Sequence, residues 1–266
     1  MVERLKQFAK HPGKGRRGYR LVHAEIQREL VRDGTGKRVN HKRVYRLWRE
    51  EGLCVPARRR RKRIRGTSPA RERIADKINA IWCFDFVQEK TIHGQTLRIL
   101  CVSDEFTRES LCIDVGTSYV SERVCETLER LISERAIPGA FRMDNGPEFI
   151  ALALKGLCHR RGIDAAYIDP GKPWQNGFAE SFHSRLRDEF MDGEVFYGVK
   201  DAQVRLSSWR RYFNEERLHS SLGYRTPREF AASCLALEAL GASETRLQGS
   251  TALAPGTAGT EAVSGT

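Results

Sequence analysis

Three carboxylates, Asp85, Asp144 and Glu180, stand in local sequences that would turn each toward a site, and 35 residues separate the last two. No zinc-type ligands accompany them. The seven cysteines are scattered without a CxxC pair, and the seven histidines show no zinc-ligand spacing. An all-oxygen set suits hard divalent cations such as Mg²⁺. A pair of such ions can activate a nucleophile and stabilise a leaving oxygen in phosphoryl transfer.

Each carboxylate has its own local logic. Asp85 lies inside Ile81-Trp82-Cys83-Phe84-Asp85-Phe86-Val87, an apolar run of strand length. Such runs read as strands buried on both faces. A carboxylate inside one is costly unless it is paired or binds metal, so a salt-bridged core Asp and a metal ligand both fit. Asp144 follows Ala140-Phe141-Arg142-Met143, and Asn145-Gly146-Pro147 then turns the chain toward a helix. That places it at the C-terminal tip of a strand, where α/β folds carry functional groups, although Asp-Asn-Gly also serves as a plain turn. Glu180 is placed by helical arithmetic. Phe178, Phe182, Leu186 and Phe190 recur every fourth residue as one apolar stripe. At about 100° per residue, Asn176, Glu180 and Arg187 fall on the opposite side, flanked by His183 and Ser184. The lead-in Pro170-Gly171-Lys172-Pro173-Trp174-Gln175-Asn176-Gly177 is rigid and polar. Within it Lys172 and Trp174 are candidates for DNA contact, with a core role as the alternative for Trp174.

The elements between these residues read as β-β-β-α-β-α-β-α. After Ile81–Val87 come two more apolar runs, Leu97–Val102 and Leu111–Val115, separated by short breaks, as in an antiparallel meander. Val120, Val124, Leu128, Leu131 and Ile132 keep helical spacing. A strand ends at Asp144, a helix runs from Pro147 to about His159, and Ile163–Ile168 reads as the fifth strand. The order predicts a mixed five-stranded sheet with helices on its faces, in which the first strand, the fourth strand and the last helix could meet at one edge.

Upstream, Leu21-Val22-His23-Ala24-Glu25-Ile26 and Asn40-His41-Lys42-Arg43-Val44-Tyr45-Arg46-Leu47-Trp48 begin two short helical patterns, with Asn40 as N-cap. A cationic second helix predicts a helix-turn-helix-like segment, with Arg43 and Arg46 as DNA contacts. Arg58-Arg59-Arg60-Arg61-Lys62-Arg63 is nearly pure cation between Pro56 and Gly66. It reads as an arm tracking phosphates, or otherwise as a solvated tract. Downstream, Lys200–Glu216 is helical, with Val204, Trp209 and Phe213 as packing residues. From Gly241 the composition turns to Gly, Ala, Ser and Thr without apolar periodicity, which predicts disorder. The expected organisation is a helical DNA-binding segment over 1–55, a basic linker over 56–75, a catalytic core over 76–192, a helical extension over 193–240 and a disordered tail over 241–266.

The whole chain of 266 residues carries a formal charge of +12 and a pI of about 9.6, which favours a polyanionic partner. No apolar run is long enough to span a bilayer, and the N-terminus lacks the apolar stretch of a signal peptide. Cysteines placed in apolar runs read as reduced thiols of a cytoplasmic protein.

The words around the three carboxylates carry a resemblance. Trp82-Cys83-Phe84-Asp85-Phe86, Asp104-Glu105-Phe106-Thr107-Arg108, Asp144-Asn145-Gly146-Pro147-Glu148-Phe149, Gln175-Asn176-Gly177 with Glu180-Ser181-Phe182, Arg187-Asp188-Glu189, His219-Ser220-Ser221-Leu222-Gly223-Tyr224 and Thr226-Pro227 resemble the bacterial insertion-sequence transposases. The nearest likeness is to the product of the second reading frame in two-frame elements. Those enzymes share an integrase-like catalytic core of RNase H-like fold with a DDE triad. The resemblance covers roughly Gly18 to Ala232. It implies that Asp85, Asp144 and Glu180 hold two Mg²⁺ ions, with Mn²⁺ as a substitute, and that Arg187 faces DNA. It also implies transposon ends and target DNA as partners, a homo-oligomer in the active complex, and an upstream-frame product as fusion or partner. Met143, His183-Ser184 and Leu218 depart from the usual pattern without removing a carboxylate. An RNase H-type nuclease and a non-catalytic DNA-binding regulator are the alternatives. The basic helical N-terminus argues against the first, and retention of three carboxylates against the second.

Overall fold

Strand alternation sets the architecture. In β1 (Ile81–Lys90), Trp82 and Phe84 point to one face of the sheet and Cys83, Asp85 and Val87 to the other. Both faces are covered, which is why the run is apolar at nearly every position. β2 (Thr96–Asp104) and β3 (Ser110–Gly116) continue from β1 as an antiparallel meander, as expected. β4 (Ala140–Met143) and β5 (Asp164–Tyr167) add to the other edge of β1 in parallel. The strand order is β3-β2-β1-β4-β5, a mixed five-stranded sheet with β1 at its centre.

The computed structural model describes residues 1–10, 18–34, 36–54, 74–169 and 173–250. The basic run Arg58–Arg63 and Lys172 lie outside the described residues, as does the side chain of Trp174.

One layer of helices follows from the β-α-β connections. α4 (Ser121–Glu134) and α6 (Leu152–Arg161) cover the face that carries Trp82, Phe84, Phe141 and Met143. The single helix expected from Pro147 is interrupted. A one-turn α5 (Pro147–Ile150) ends at Ala151, whose extended backbone (φ −60°, ψ 149°) restarts the chain as α6. The break lets Phe149 lie fully buried against Phe84 and Phe86, with ring centroids at 5.1 and 5.2 Å.

The second layer is α7 (Gly177–Glu189) and α8 (Val199–Glu215). Phe182 and Leu186 of α7 and Ala202, Leu206, Trp209 and Phe213 of α8 pack on Val87, Ile99, Cys101, Ile113 and Val115. Val204, expected to pack, is two-thirds exposed instead. Ala202 and Leu206 take the inward positions with Trp209 and Phe213, at spacings of four, three and four, and Val204 falls nearly opposite Phe213 on the helix.

Ahead of the sheet, α1 (Val2–Lys10), α2 (Tyr19–Arg32) and α3 (His41–Glu50) close a small core of Leu5, Val22, Ile26, Val44 and Trp48. Asn40 caps α3 through its side-chain oxygen, which accepts from the Lys42 N–H at 2.9 Å. At the other end α9 runs from Pro227 to Ser250, ten residues into the stretch where disorder was expected from Gly241. Periodicity reports a buried face, whereas Ala, Leu, Glu, Arg and Gln favour a helix with or without one. Residues 251–266 of the expected tail lie outside the described residues.

Candidate active site

The parallel pairing of β1 with β4 brings two of the acids together. Ile81, Trp82 and Cys83 are in register with Ala140, Phe141 and Arg142. Continued two residues past Cys83 and Arg142, that register would bring Asp85 level with Asp144, just beyond the end of β4, and the negative charge of Asp144 is felt at Asp85. Alternation turns the Asp85 carboxylate to the α7 side of the sheet, with Val87. Asp85 stands opposite Cys101 of β2, and its Oδ1 accepts the Phe86 N–H at 2.7 Å.

The turn after β4 is built around the second acid. Asp144 Oδ1 accepts the Gly146 N–H at 2.9 Å. A Cβ at residue 146 would approach that oxygen to 3.0 Å, so glycine is what lets the carboxylate fold back over its own turn. Asn145 ties the turn to the end of β5 by donating to the Ile168 carbonyl at 2.7 Å. Glu148, the nearby acid, is drawn aside into an ion pair with Arg98, whose guanidinium lies 4.3 Å from the centre of the Phe86 ring.

Glu180 comes from α7, seated on β1 by Phe182 and Leu186, and is exposed as the helical arithmetic required. Its charge reaches Asp85. Burial pushes the Asp85 carboxyl up to about 6; the Phe86 N–H opposes this, and the negative charges of Asp144 and Glu180 add to it. Two neighbouring negative charges and burial make Asp85 costly to ionise, so the site is short of positive charge at Asp85. Among the described residues no three His, Cys, Asp or Glu side chains are gathered closely enough to enclose an ion. The donor set nevertheless fits a hard divalent cation, being all oxygen and electrostatically demanding one.

The sequence marks His183 as a flank of Glu180 on the helix and, with Ser184, as a departure from the family pattern. It lies three residues past Glu180, with Nδ1 at 3.7 Å from Asp85 Oδ2. Burial, with a contribution from Arg187, holds its imidazole down to about 4, so at neutral pH it is an uncharged neighbour of the site. The i+3 spacing from Glu180 is the signal that could have singled it out.

Two of the other conspicuous acids are structural. Asp104 accepts from the backbone N–H groups of Asn79, Phe106 and Thr107 at 2.7, 2.8 and 2.9 Å. Glu105 is fully buried and grips Arg142 of β4 at 2.6 Å. Together they hold the β2–β3 turn against β1 and β4.

Comparison with known proteins decides the family. Residues 75–173 and 161–227 match two family profiles, each described as an integrase core domain, and residues 3–62 match an HTH-like domain. Over 217 residues the chain is 40% identical to an insertion element IS407 protein of 31.7 kDa from Burkholderia multivorans, covering 81% of this chain and 75% of that one. The chain belongs to the insertion-element transposases. It is also 28% identical over 225 residues to the transposase InsD of an IS2 element from Escherichia coli, covering 80% and 72% of the two chains. In fold it resembles a chain of the simian T-cell lymphotropic virus intasome, with a TM-score of 0.52 at 19% identity over 60% of this chain and 56% of that one. The mixed sheet of the transposase is thus an integrase-type, RNase H-like core, and its enzymatic class is that of a DDE polynucleotidyl transferase.

The remaining candidate residues of the transposase are distributed unevenly. Arg43 and Arg46 are exposed on α3, and Arg46 lies 3.6 Å from Glu50 one turn on. Arg187 is exposed beyond Glu180 and donates to the Gln88 carbonyl at 3.5 Å. Asn176 departs from the expectation that placed it on the exposed face with Glu180. It is 3% exposed, at the end of a 3₁₀ turn (Pro173–Asn176) that precedes α7. A 3₁₀ turn winds at three residues per turn, so the α-helical angle assigned to Asn176 does not hold there.

Proposed function

We propose that Asp85, Asp144 and Glu180 are the catalytic triad of this transposase and the ligands of two Mg²⁺ ions. The observation that supports the reading is the convergence on Asp85, which feels the negative charges of Asp144 and Glu180 on a strand paired with β4 and covered by α7. When bound, the metals supply an activated nucleophile and a stabilised leaving oxygen; Mn²⁺ fits the same oxygen donors. Water attack on the phosphodiester at an element end breaks the bond to the 3′ oxygen and leaves a 3′-hydroxyl. That hydroxyl then attacks a target phosphodiester. One P–O bond forms as another breaks, so joining needs no external energy source.

The protein's own contribution is placement. β1 and β4 are rigid, doubly covered strands, and Gly146 and Asn145 hold the Asp144 turn. Neutral His183 fills the space beside Asp85 without adding a competing cation. The helical segment over 1–55, with Arg43 and Arg46, the linker over 56–75 with Arg58, Arg59, Arg60, Arg61, Lys62 and Arg63, and Lys172, Trp174 and Arg187 are assigned to DNA, whereas Asn176, expected among the DNA contacts, is buried and is not. The core spans 76–192 and the helical extension 193–240. Two DNA ends and a target must be held at once, which calls for more than one protomer and for an upstream-frame product as fusion or partner. The place of action is the bacterial cytoplasm, at the nucleoid, where that DNA lies.

The test uses a supercoiled plasmid carrying cognate ends, incubated with the protein and Mg²⁺. Asp85→Asn, Asp144→Asn and Glu180→Gln should each abolish cleavage and joining while leaving DNA retardation in gels largely unchanged. A wild-type rate from any one of the three removes that residue from the triad.

A further inference from the structure

A second cleft lies on the other side of α7. Its volume is about 570 Å³, within the range of pockets that take ligands of nucleotide size. Gly177, Phe178, Ser181, Phe182, Arg185 and Glu189 line it from α7. On a helical wheel these residues centre nearly opposite Glu180, His183 and Arg187. The cleft is therefore separate from the carboxylate site. Its other walls are the start of α2, the β1–β2 strand ends and the loop after α8.

The lining has a definite chemistry. Arg217 and Glu189 neutralise one another in a buried pair at 2.6 Å. One further acid, Asp104, stands against Arg20, Arg108 and Arg185, so the cleft is cationic. The Arg108 guanidinium lies 3.8 Å from the centre of the Phe178 ring, a flat cationic stack of the kind unpaired bases pack on.

Two polar side chains in the lining are more than nine-tenths buried and lack a hydrogen-bond partner: Ser103 through Oγ and His219 through Nε2. The backbone of Phe213 takes the hydrogen bond from the His219 ring. Burial first, and then the charge of Arg217, depresses that imidazole to about 3. The ring is neutral, and Nε2 is an acceptor waiting for an N–H or O–H donor. Buried polar groups are normally satisfied, so such atoms in a cleft wall point to a ligand. Three described residues other than glycine have positive φ: Asn79, Arg108 and Tyr224. Asparagine tolerates that region, whereas the other two hold a costly backbone, and both line this cleft.

Cations alone would describe a phosphate site, yet a neutral imidazole acceptor and a flat stack do not serve a phosphate. We propose that the cleft holds one unpaired nucleotide of the bound DNA. Arg20 and Arg185 take its phosphate, the Arg108–Phe178 stack and Tyr224 take its base, and His219 Nε2 accepts a base N–H. Since Gly18, Arg20 and Leu21 belong to the N-terminal segment, the site joins that segment to the core through the DNA. The inference rests on the chain acting on DNA as proposed above.

The test is equilibrium binding of the full chain to labelled DNA by fluorescence anisotropy at one salt concentration, in EDTA so that no strand is cut. Three probes share one sequence: a blunt duplex, the duplex with a three-nucleotide single-stranded 3′ extension, and the same extension made abasic. The extension should tighten binding about fivefold or more, fivefold being the low end of what one stacked base supplies, and the abasic form should lose that gain. The double variant Arg20→Gln/Arg185→Gln, both exposed positions, should also lose the gain while binding the blunt duplex within about twofold of wild type. Equal wild-type affinity for blunt and extended DNA overturns the nucleotide site and leaves the proposed function standing. A gain that survives either the abasic extension or the double variant overturns it as well. Failure to bind any of the three probes sinks both readings.

Discussion

Asp85 should weaken the fold that carries it. Its carboxyl is pushed from 3.8 to about 6, by burial first and then by Asp144 and Glu180 against the Phe86 hydrogen bond. The folded protein therefore holds this proton more tightly than the unfolded chain does. Below about pH 4 both states are protonated and the site is neutral toward stability. Between about pH 4 and 6 the unfolded chain ionises first, and stability falls as pH rises. Above the folded value the loss is complete. A shift of this size corresponds to about 3 kcal/mol at 1.36 kcal/mol per pH unit. The side chain is one-quarter exposed, so solvent relaxation should leave roughly 1–2 kcal/mol of it measurable.

Asp85→Asn removes the charge and keeps the oxygen that accepts from Phe86. At pH 8 in EDTA the variant should be more stable than wild type by roughly 1–2 kcal/mol, or roughly 2–8 °C in Tm for a chain of this size. Urea unfolding followed by tryptophan fluorescence at pH 8, 6.5 and 5 would read it, and the difference should shrink toward the acid end. Mg²⁺ should narrow the pH 8 gap from the other side. At a hundredfold excess over its Kd the ion stabilises wild type by about 2.7 kcal/mol, and the variant by less. A variant less stable than wild type at pH 8, or a difference that ignores both pH and Mg²⁺, would refute the view of this site as charge-frustrated and built for a cation.

Three further outcomes are expected. Glu189→Gln strands Arg217 in the core without its partner and should cost about 3–5 kcal/mol; Glu189→Leu with Arg217→Met should recover much of that in the same urea assay, and full stability of the single variant would contradict the burial of the pair. Replacing Arg58 to Arg63 with Ser should weaken binding to all duplex sequences alike and flatten its salt dependence by up to roughly 0.9 log units for each phosphate no longer neutralised; an unchanged slope would make the run a solvated tract. Lacking a sustained heptad repeat, the isolated chain should show little end preference in gel-shift titrations of cognate and scrambled ends, and a preference above about 4 kcal/mol would show that it carries its own end-recognition module.

Much of the architecture is legible in the sequence alone, because it rests on short-range periodicity. The apolar runs that became β1, β2 and β3, the spacing of Val124, Leu128 and Leu131 in α4, and the Asn40 cap are all local patterns with a local cause. Local pattern fails where the helix type changes. Asn176 turned inward in a 3₁₀ turn, and Ala151 divided a helix that the sequence read as one. At Val204 the local pattern itself decides, since nine residues place it opposite Phe213 on the helix and leave it exposed.

The acids show the same division. In sequence, Asp104, Glu105 and Glu189 look no less eligible than Asp85, Asp144 and Glu180, and family words set the triad apart. What separates them physically is the partner each meets. Asp104 meets three backbone N–H groups, Glu105 meets Arg142 from 37 residues away, and Glu189 meets Arg217 from 28. Asp85 meets two other negative charges instead. Which face of a strand a carboxylate takes is settled by counting along the chain. Whether that face offers a cation, an N–H or another acid depends on strand register and helix docking between distant segments. That information exists only once the chain has folded.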